Sequence, residues 1–491
     1  MLRRNFANFS DLKLGGGFST KRAELSRFIQ YRFVKEEYWR DVTSRSAMDE
    51  RWNAFHSPIS QSVDESKMDI AFEKVLDLFQ SHYSEPLNTV TIEEAIQLLP
   101  SDTSAGAPYL PGVKKGEVRN HLKAMSRYAW RNLESKGFLP VTPAIAAARR
   151  TIRAKGTNKP RLVFAYPGYL NIIETQFTAA FSENAPPFLG WSVNWLDYGT
   201  TYDDLVRRIY SGRVWMNLDF SSFDSTVSAY LIRIAFQVVE ELMDLSDLEK
   251  SMLDELMTYF IHTPLSYYNS VEYKHRGIPS GSGFTQLIGS IVNMLACVYA
   301  FECSPEYGDL VLSSCIWLGD DSCLVFRYGP PKDEVEDFVI PHLRRLGLQA
   351  NPEKTLYNFV SPSMQYHFLG RKAFLGVRYW EVDLDKLHAQ ICFPEFQDKS
   401  ISDVIQRLIG LAWAFGCNLD AYEVLNEAYD FCSRYKRNEI EDKINYKSRR
   451  LLQMYGIQDV NLSVFPSYEE ICYRYYGTVL YPPRLIFEYC C

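Results

Sequence analysis

The spacing of apolar and polar residues predicts strands in some segments of the chain and helices in others. Val214 to Leu218 is a short apolar run, typical of a buried strand, and it ends at Asp219. The apolar residues that follow recur at helical spacing, and they are Val227, Tyr230, Leu231, Ile234, Val238 and Leu242. We therefore predict a strand, a turn that carries Asp219, and then a helix with one buried face.

A second acidic segment lies farther along the chain, between two runs that favour β structure. Val311 to Leu318 and Ser322 to Tyr328 are rich in β-branched and aromatic residues. Gly319, Asp320 and Asp321 stand between these runs. A glycine beside an aspartate between two strand-like runs is typical of a tight hairpin, so we predict that both acids lie at its turn.

Other segments show helical patterns. Ala71 to Phe79 is amphipathic, and the segment from Gly283 to Phe301 is apolar enough to span a bilayer. Polar residues recur along the second segment, so we predict a buried helix and no membrane span. Beyond about residue 380 the pattern is helical, and Ser400 and Asp403 form a predicted capping box. The helical face behind this cap consists of Ile401, Val404, Ile405, Leu408 and Ile409.

Composition and charge narrow the classes of protein. The 491 residues are 46% hydrophobic and 23% charged, which excludes fibrous and disordered proteins. The net charge is −7, so a polyanion would need locally concentrated positive charge. All ten cysteines lie at or after Cys297 and none forms a Cys-x-x-Cys pair. We therefore expect reduced thiols in an intracellular protein rather than a structural zinc site.

Positive charge is concentrated between Ser135 and Ile173, which contains seven Lys or Arg residues and no acid. Six of them form what we call the basic stretch, namely Arg149, Arg150, Arg153, Lys155, Lys159 and Arg161. Lys binds phosphate as a point charge and Arg can also stack on a base. We predict that Arg153, Lys155, Lys159 and Arg161 line a channel for a triphosphate. The alternative is a solvated run of charges.

The acidic residues predict a metal site if the two segments meet. Should the hairpin pair beside the strand that ends at Asp219, then Asp219 and Asp320 converge at one edge of a sheet. Neighbouring carboxylates repel each other, and Mg²⁺ binds carboxylates together with water and substrate phosphates. Two such ions can hold the attacking and leaving oxygens of a phosphoryl transfer. The alternative is that these are solvated acids in turns.

The segment from Gly277 to Asn293 is a Gly/Ser-rich loop that runs into the predicted buried helix. Glycine, including Gly281, allows close approach of the backbone to a ligand. Hydroxyl and amide groups of Ser280, Thr285 and Asn293, together with Asp224, are able to bind a ribose 2′-OH, the group that distinguishes RNA from DNA. The alternative is a flexible loop that caps a buried helix.

The order of these motifs resembles that of viral RNA-dependent RNA polymerases. The segments from Leu218 to Val227 and from Ile278 to Ile288 are most similar to those of small double-stranded RNA viruses, the partitiviruses first and the picobirnaviruses next. The resemblance covers about residues 100 to 375. It implies an α+β right-hand fold of fingers, palm and thumb, in which helices flank an antiparallel palm sheet.

The resemblance also implies roles for particular residues. Asp219, Asp320 and Asp321 correspond to the palm acids that bind two Mg²⁺ ions, for which Mn²⁺ is expected to substitute. Lys159 and Arg161 correspond to the finger motif that holds the triphosphate, and Lys354 to a general acid. The predicted template and primer contacts are Thr103, Ser104, Gly106, Pro108, Gly370 and Arg371. Many relatives carry Asn at the position of Gly289, and we expect Asn293 to take its place.

The implied domains are fingers at 101–211 and 236–275, palm at 212–235 and 276–380, and thumb at 381–491. The helical region 1–100 would bridge fingers and thumb. The implied function is replication and transcription of a viral double-stranded RNA genome by two-metal nucleotidyl transfer. Expected partners are the RNA template, the product duplex, ribonucleoside triphosphates and a viral coat protein, inside a virion in the host cytoplasm.

Two alternatives remain open from the sequence. A reverse transcriptase shares the palm, but it tends to place a bulky ring where this chain has Asp224. A catalytically inactive palm that binds RNA in a capsid would not need to keep Asp219, Asp320 and Asp321 together.

Overall fold

The computed structural model describes residues 38–56, 62–154, 156–190, 198–268, 270–305, 308–329, 334–368, 371–374, 380–394, 400–434, 460–461 and 463–476. The helices within these ranges are α1 (Arg45–Asn53), α2 (Glu65–Gln80), α3 (Ile92–Leu98), α4 (Arg119–Lys136), α5 (Gly168–Glu183), α6 (Tyr198–Tyr210), α7 (Phe223–Thr226), α8 (Ala229–Glu241), α9 (Asp247–Ile261), α10 (Thr285–Glu302), α11 (Ile340–Arg345), α12 (Leu384–Cys392), α13 (Ile401–Phe415), α14 (Leu419–Ser433) and α15 (Tyr468–Tyr476). Short 3₁₀ turns occupy Lys115–Val118 and Leu312–Ser314, and a π-helical turn occupies Val335–Val339.

The strands are β1 (Tyr38–Arg40), β2 (Ala144–Arg149), β3 (Ile152–Ala154), β4 (Arg161–Ala165), β5 (Val214–Asn217), β6 (Pro264–Tyr267), β7 (Ser270–Tyr273), β8 (Ile316–Leu318), β9 (Asp321–Phe326), β10 (Leu356–Phe359), β11 (Gln365–Phe368), β12 (Arg371–Phe374) and β13 (Trp380–Glu381). Helices and mostly antiparallel sheets are thus mixed along the chain, which is the predicted α+β class.

The central sheet has the strand order β10-β5-β9-β8, and each neighbouring pair is antiparallel. Strand β5 is buried at every position, as its uninterrupted apolar run predicts. The predicted hairpin is present, since Leu318 of β8 pairs with Asp321 of β9 across Gly319 and Asp320. Its first strand is shorter than predicted because Leu312–Ser314 forms a 3₁₀ turn before β8 begins.

Two residues of the basic stretch, Arg149 and Arg161, lie in a second sheet with the order β4-β2-β6-β7. Arg149 of β2 pairs with Arg161 of β4, so the chain between them returns on itself. Strand β3, inside that return, pairs with β1. A further sheet has the order β11-β12-β13.

Helix α10 forms the centre of the core, as the apolar segment from Gly283 to Phe301 predicts. It is long and apolar enough to cross a membrane, but 83% of that stretch is buried inside the protein. Ser290 and Asn293 are fully buried within it. Buried polar groups are usually hydrogen-bonded, so these two residues point to specific contacts.

The predicted helical faces are largely confirmed. In α13, Ser400 and Asp403 form the capping box, and the five predicted apolar residues are buried. In α2, Ala71, Val75 and Phe79 are buried behind the N-cap residue Asp64. The buried face of α8 differs slightly from the prediction, since Tyr230 and Ile234 are only half-buried. Its buried residues are Leu231, Ile232, Ala235, Phe236, Val238 and Val239.

Candidate active site

The end of β5 and the β8–β9 hairpin bring three predicted acids to one edge of the central sheet. Met216 of β5 pairs with Leu324 of β9, and continuing this antiparallel register brings Asp219 opposite Asp321. Asp320 lies in the hairpin turn as predicted, whereas Asp321, also predicted in the turn, is the first residue of β9. The backbone carbonyl of Asp219 accepts a hydrogen bond from Asn351 N–H at 2.7 Å, which fixes the turn after β5. The predicted convergence of the two acidic segments is confirmed.

Two side chains of helix α10 hold the β8–β9 hairpin turn through hydrogen bonds to the backbone of Gly319. Gly319 has φ +60°, a left-handed conformation that glycine adopts readily. Its N–H donates to Ser290 Oγ at 2.9 Å, and its carbonyl accepts from Asn293 Nδ2 at 3.0 Å. The predicted contact of Asn293 with a sugar is therefore replaced by a supporting role, because the side chain is fully buried and its amide is used. Sequence reasoning missed the role of Ser290, although a polar residue in an apolar helix was the available signal.

The carboxylates perturb one another electrostatically. Burial raises the pKa of Asp321 to about 7, with further contributions from the charges of Asp320 and Asp219. Burial also raises the pKa of Asp219; Lys354 lowers it and Asp320 raises it. Arg161 opposes the shift at Asp321. The three acids are thus close enough to repel, with two basic side chains nearby as partial compensation.

This donor set fits a hard divalent cation in its chemistry. Carboxylate oxygens are the protein ligands that Mg²⁺ prefers, and positive charge would relieve the repulsion among them. In the part of the chain that the structure describes, no three His, Cys, Asp or Glu side chains are arranged to enclose one ion. Water and substrate phosphates would therefore have to complete the coordination, as is usual for Mg²⁺.

Asp224 lies next to this cluster, on the single turn α7. Although the residue is exposed, the protein atoms around its carboxyl group displace water and raise its pKa to about 6. The charge of Asp320 adds to this shift and that of Arg161 opposes it. The Asp224 carbonyl accepts from Ile278 N–H at 2.6 Å, which ties α7 to the Gly/Ser-rich loop. Asp224 therefore faces both the acids and the predicted sugar-binding loop.

The Gly/Ser-rich loop uses most of its polar groups within the protein. Ser280 Oγ donates to the carbonyl of Leu162 at 3.2 Å, and Thr285 Oγ1 donates to that of Pro279 at 2.7 Å. Because each hydroxyl already donates its proton to a backbone carbonyl, it can only accept a hydrogen bond from a ligand. Gly281 is required for a different reason than predicted, because a Cβ there would lie 1.8 Å from the carbonyl oxygen of Phe164 in β4.

Glu174 of α5 anchors this loop and was not found from the sequence. It is almost fully buried and accepts hydrogen bonds from Ser282 Oγ at 2.6 Å, Gly283 N–H at 2.7 Å and Asn171 Nδ2 at 3.1 Å. Burial raises the pKa of Glu174 to about 7, although the hydrogen bonds that the carboxylate accepts act to lower this pKa. Lys115 supplies a nearby positive charge. The local sequence carries little signal, since other polar residues, among them Asn171 and Gln176, lie in the same helix.

Gly281→Ala is expected to destabilise the fold. The added methyl group would collide with the Phe164 carbonyl, and overpacking of this kind typically costs about 1–3 kcal/mol or more. Gly289→Ala is the matched control, since its Cβ would lie 3.5 Å from its nearest neighbours and alanine favours the helix interior. Thermal unfolding should show a lower melting temperature for Gly281→Ala alone. An unchanged melting temperature for this variant would contradict the close packing of loop and strand.

The basic stretch borders the acids at one point and an open cleft at another. Arg161 is exposed and its charge acts on Asp224 and Asp321. Lys159 lines a cleft of about 990 Å³ together with Ser222 and Asn351. The basic residues on this cleft are Arg51, Lys159, Arg276 and Arg344, against the single acid Glu50. Its charge therefore suits an anion, in a chain whose net charge is negative.

Arg153 and Lys155 of the basic stretch were also predicted to bind the nucleotide. Arg153 donates from Nε to Asp41 at 3.3 Å, so part of its guanidinium group is already used. Lys155 lies outside the described residues.

The predicted template and primer contacts are dispersed. Thr103 Oγ1 donates to the carbonyl of Pro100 at 3.0 Å, and Ser104 Oγ accepts from Gly106 N–H at 3.2 Å. Gly106 is buried with φ +65°, and a Cβ there would lie 2.1 Å from the Tyr166 carbonyl, so its glycine serves packing. Pro108 is exposed. Arg371 begins β12 opposite Phe368, and Gly370 lies outside the described residues.

Comparison with known proteins agrees with the motifs. The family described as viral RNA-dependent RNA polymerase matches residues 39–390. The RNA-directed RNA polymerase of Cryptosporidium parvum virus 1 (strain KSU-1) is 36% identical over 94% of this chain and 94% of its own length. The genome polyprotein of Plum pox potyvirus (strain Rankovic) is 25% identical over 41% of this chain, and that of Simian hepatitis A virus genotype V (isolate AGM-27) is 29% identical over 36%. The chain spans only 6% and 8% of these two polyproteins.

These similarities confirm the resemblance and the activity predicted from the motif order, RNA-directed RNA synthesis. The family match also implies the right-hand polymerase fold, in agreement with the mixture of helices and sheets observed. The chain belongs to the viral RNA-dependent RNA polymerase family.

Proposed function

We propose that Asp219 and Asp320, assisted by Asp321, bind two Mg²⁺ ions and that this edge of the central sheet is the polymerase active site. The observation that carries the proposal is the β5–β9 register, which brings Asp219 opposite Asp321 beside the hairpin turn. The raised pKa values of Asp219 and Asp321 support it, since burial and the neighbouring acids, Asp320 above all, both disfavour the charged carboxylates that a bound cation would stabilise. The central sheet is accordingly the palm.

The reaction is attack by the 3′-OH of the growing strand on the α-phosphate of a bound ribonucleoside triphosphate, with pyrophosphate as the leaving group. Two divalent ions bound by the acids would neutralise charge on the attacking and leaving oxygens. Lys159 and Arg161 hold the triphosphate, and this role is supported by the basic cleft that Lys159 lines and by the charge of Arg161 acting on Asp224 and Asp321. Lys354, whose charge acts on Asp219, donates a proton to the leaving pyrophosphate. Positioning and charge complementarity supply most of the catalysis.

Asp224 selects the sugar in this proposal. Its carboxylate accepts a hydrogen bond from the ribose 2′-OH, with the lone pairs of Ser280 and Thr285 available as further acceptors. The bond between Ile278 N–H and the Asp224 carbonyl supports a shared role for α7 and the loop. A deoxyribonucleotide would leave the carboxylate unpaired, which disfavours its binding.

The remaining assignments follow the same fold. Fingers comprise 101–211 and 236–275, palm 212–235 and 276–380, and thumb 381–491. Tyr38 donates to Asp383 at 2.8 Å, and Arg40 donates from Nε to the Phe393 carbonyl at 2.7 Å. These contacts support an N-terminal region that bridges fingers and thumb. Pro108, which is exposed, and Arg371, at the start of β12, remain the proposed template and primer contacts.

The biological setting of the proposal is a double-stranded RNA virus. The polymerase would replicate and transcribe the genome inside the virion, in the host cytoplasm and in contact with a coat protein. The name and source of the relative from Cryptosporidium parvum virus 1, similar over 94% of both chains, support a viral replicative role.

Incorporation of labelled nucleotides on a defined RNA template tests the activity. We expect Mg²⁺-dependent extension with ribonucleotides, weaker extension with deoxyribonucleotides and none without template. Preference for deoxyribonucleotides would favour the reverse transcriptase alternative. For an inactive palm we would expect no synthesis, and no thermal stabilisation when Mg²⁺ or Mn²⁺ is added with a triphosphate.

A further inference from the structure

Asp41 is a fully buried acid that accepts hydrogen bonds from Arg153 and Lys159 of the basic stretch and from Thr151 between its residues. Its Oδ2 accepts from Thr151 Oγ1 at 2.8 Å, from Thr151 N–H at 3.3 Å and from Arg153 Nε at 3.3 Å. Its Oδ1 accepts from Lys159 N–H at 3.1 Å. One carboxylate thus bonds both arms of the return between β2 and β4.

The residues around Asp41 reinforce this attachment. Strand β1 pairs with β3 inside the return, and Asp41 N–H donates to the Thr151 carbonyl at 2.9 Å. Val42 exchanges two hydrogen bonds with the Asn158 side chain, its N–H donating to Oδ1 at 2.8 Å and its carbonyl accepting from Nδ2 at 3.0 Å. The segment 38–42 therefore bonds the chain on both sides of the return, at Thr151 to Ala154 and at Asn158 and Lys159.

This attachment lies directly before the groups assigned to the triphosphate. Lys159 lines the basic cleft, and Arg161, two residues later, faces Asp224 and Asp321. The backbone N–H of Lys159 donates to the Asp41 carboxylate. This hydrogen bond fixes the position of the Lys159 backbone, and therefore the point from which the Lys159 side chain extends. A buried carboxylate with several donors holds such geometry strongly, because losing it leaves those donors unpaired.

We propose that Asp41 is a positioning residue for triphosphate binding: its buried carboxylate fixes the return of the basic stretch so that Lys159 and Arg161 meet the incoming nucleotide. The inference rests on the proposed triphosphate role of these two residues. Asp41 does not touch the nucleotide, and it acts through the backbone of Lys159 and the side chains of Thr151 and Arg153.

Asp41→Asn tests the inference through steady-state extension on a defined RNA template with the four ribonucleoside triphosphates. We expect KM for the triphosphates to rise about tenfold or more, because small displacements of binding groups have effects of this size. The affinity for the RNA template, measured by fluorescence anisotropy, should stay unchanged. A merely structural role would lower the active fraction, and hence kcat, without changing KM, and that result would overturn the inference.

Two further variants keep the test decisive. Asn158→Ala removes the exchange with Val42 at an exposed position, and it should raise KM in the same direction even if Asp41→Asn fails to fold. An unchanged KM for both, or for Asn158→Ala alone when Asp41→Asn fails to fold, would overturn the inference. Asp49→Asn is the matched control, since Asp49 accepts from Tyr267 OH and not from the basic stretch. Absence of synthesis by the unmutated chain would instead contradict the proposed function.

Discussion

Asp320→Asn is expected to lower ribonucleotide incorporation by about 10³-fold while leaving the fold intact. The substitution keeps the size of the side chain and removes the negative charge that the proposed metal site needs. Asp320 is exposed in the hairpin turn, and the bonds that hold this turn are made by the backbone of Gly319. Loss of one preorganised electrostatic group typically costs 10²–10³-fold in rate, and we expect about 10³-fold here. The measurement is extension of an RNA template at saturating triphosphate.

The control for this experiment is Asp337→Asn. Asp337 is exposed on the π-helical turn Val335–Val339, away from the β8–β9 hairpin in sequence, and it loses the same charge. Its activity should equal that of the unmutated chain, and both variants should melt at the unmutated temperature. Synthesis by Asp320→Asn within about tenfold of the unmutated rate would contradict the assignment of the acids.

The sequence predicted the acidic edge of the central sheet because both segments carry strong local signals. An apolar run that ends in Asp219 and a Gly-Asp turn between β-rich runs each specify their own element. Their pairing is long-range, and it followed from the order of the motifs rather than from either pattern. The buried polar residues of α10 were visible as interruptions in an apolar helix, but their partner, Gly319, was not.

The glycines show where local reasoning fails. Gly281 was predicted to let the backbone approach a ligand and Gly106 to contact the template, and the structure shows that each also allows close approach of a protein carbonyl, that of Phe164 and that of Tyr166. A sequence pattern does not distinguish the approach of a ligand from the approach of a protein carbonyl, because both require a residue without a Cβ.

Buried acids were missed for a related reason. The donors to Glu174 and Asp41 come largely from segments distant in sequence, so neither residue stands out in a single sequence. Burial of a carboxylate depends on partners that only the folded chain supplies. The residues that touch the nucleotide in our proposal were therefore easier to predict than those that hold them in place.

Asp224→Ala is expected to weaken the preference for ribonucleotides over deoxyribonucleotides. In the unmutated chain a deoxyribonucleotide would leave a partly desolvated carboxylate without its partner, and sites built to bind a hydroxyl reject analogues that lack it by about 10⁴–10⁵. Alanine removes both the bond and the penalty, so the ratio of kcat/KM values should fall by about 10²-fold or more. The fold should persist, because Ile278 bonds the carbonyl of Asp224 and not its carboxylate.

The ratio of the kcat/KM values for ribonucleotides and deoxyribonucleotides also distinguishes sugar selection by Asp224 from a general effect on catalysis. Loss of a catalytic group would lower kcat/KM for both nucleotides together, whereas loss of a sugar contact should lower it mainly for the ribonucleotide. Asp254→Ala, at an exposed position of α9, is the control and should leave both values unchanged. If Asp224→Ala leaves the ratio of the two kcat/KM values unchanged, whether its activity is normal or reduced, then other residues recognise the sugar. The lone pairs of Ser280 and Thr285 would then be the next acceptors to test, because their hydroxyl protons are already held by backbone carbonyls.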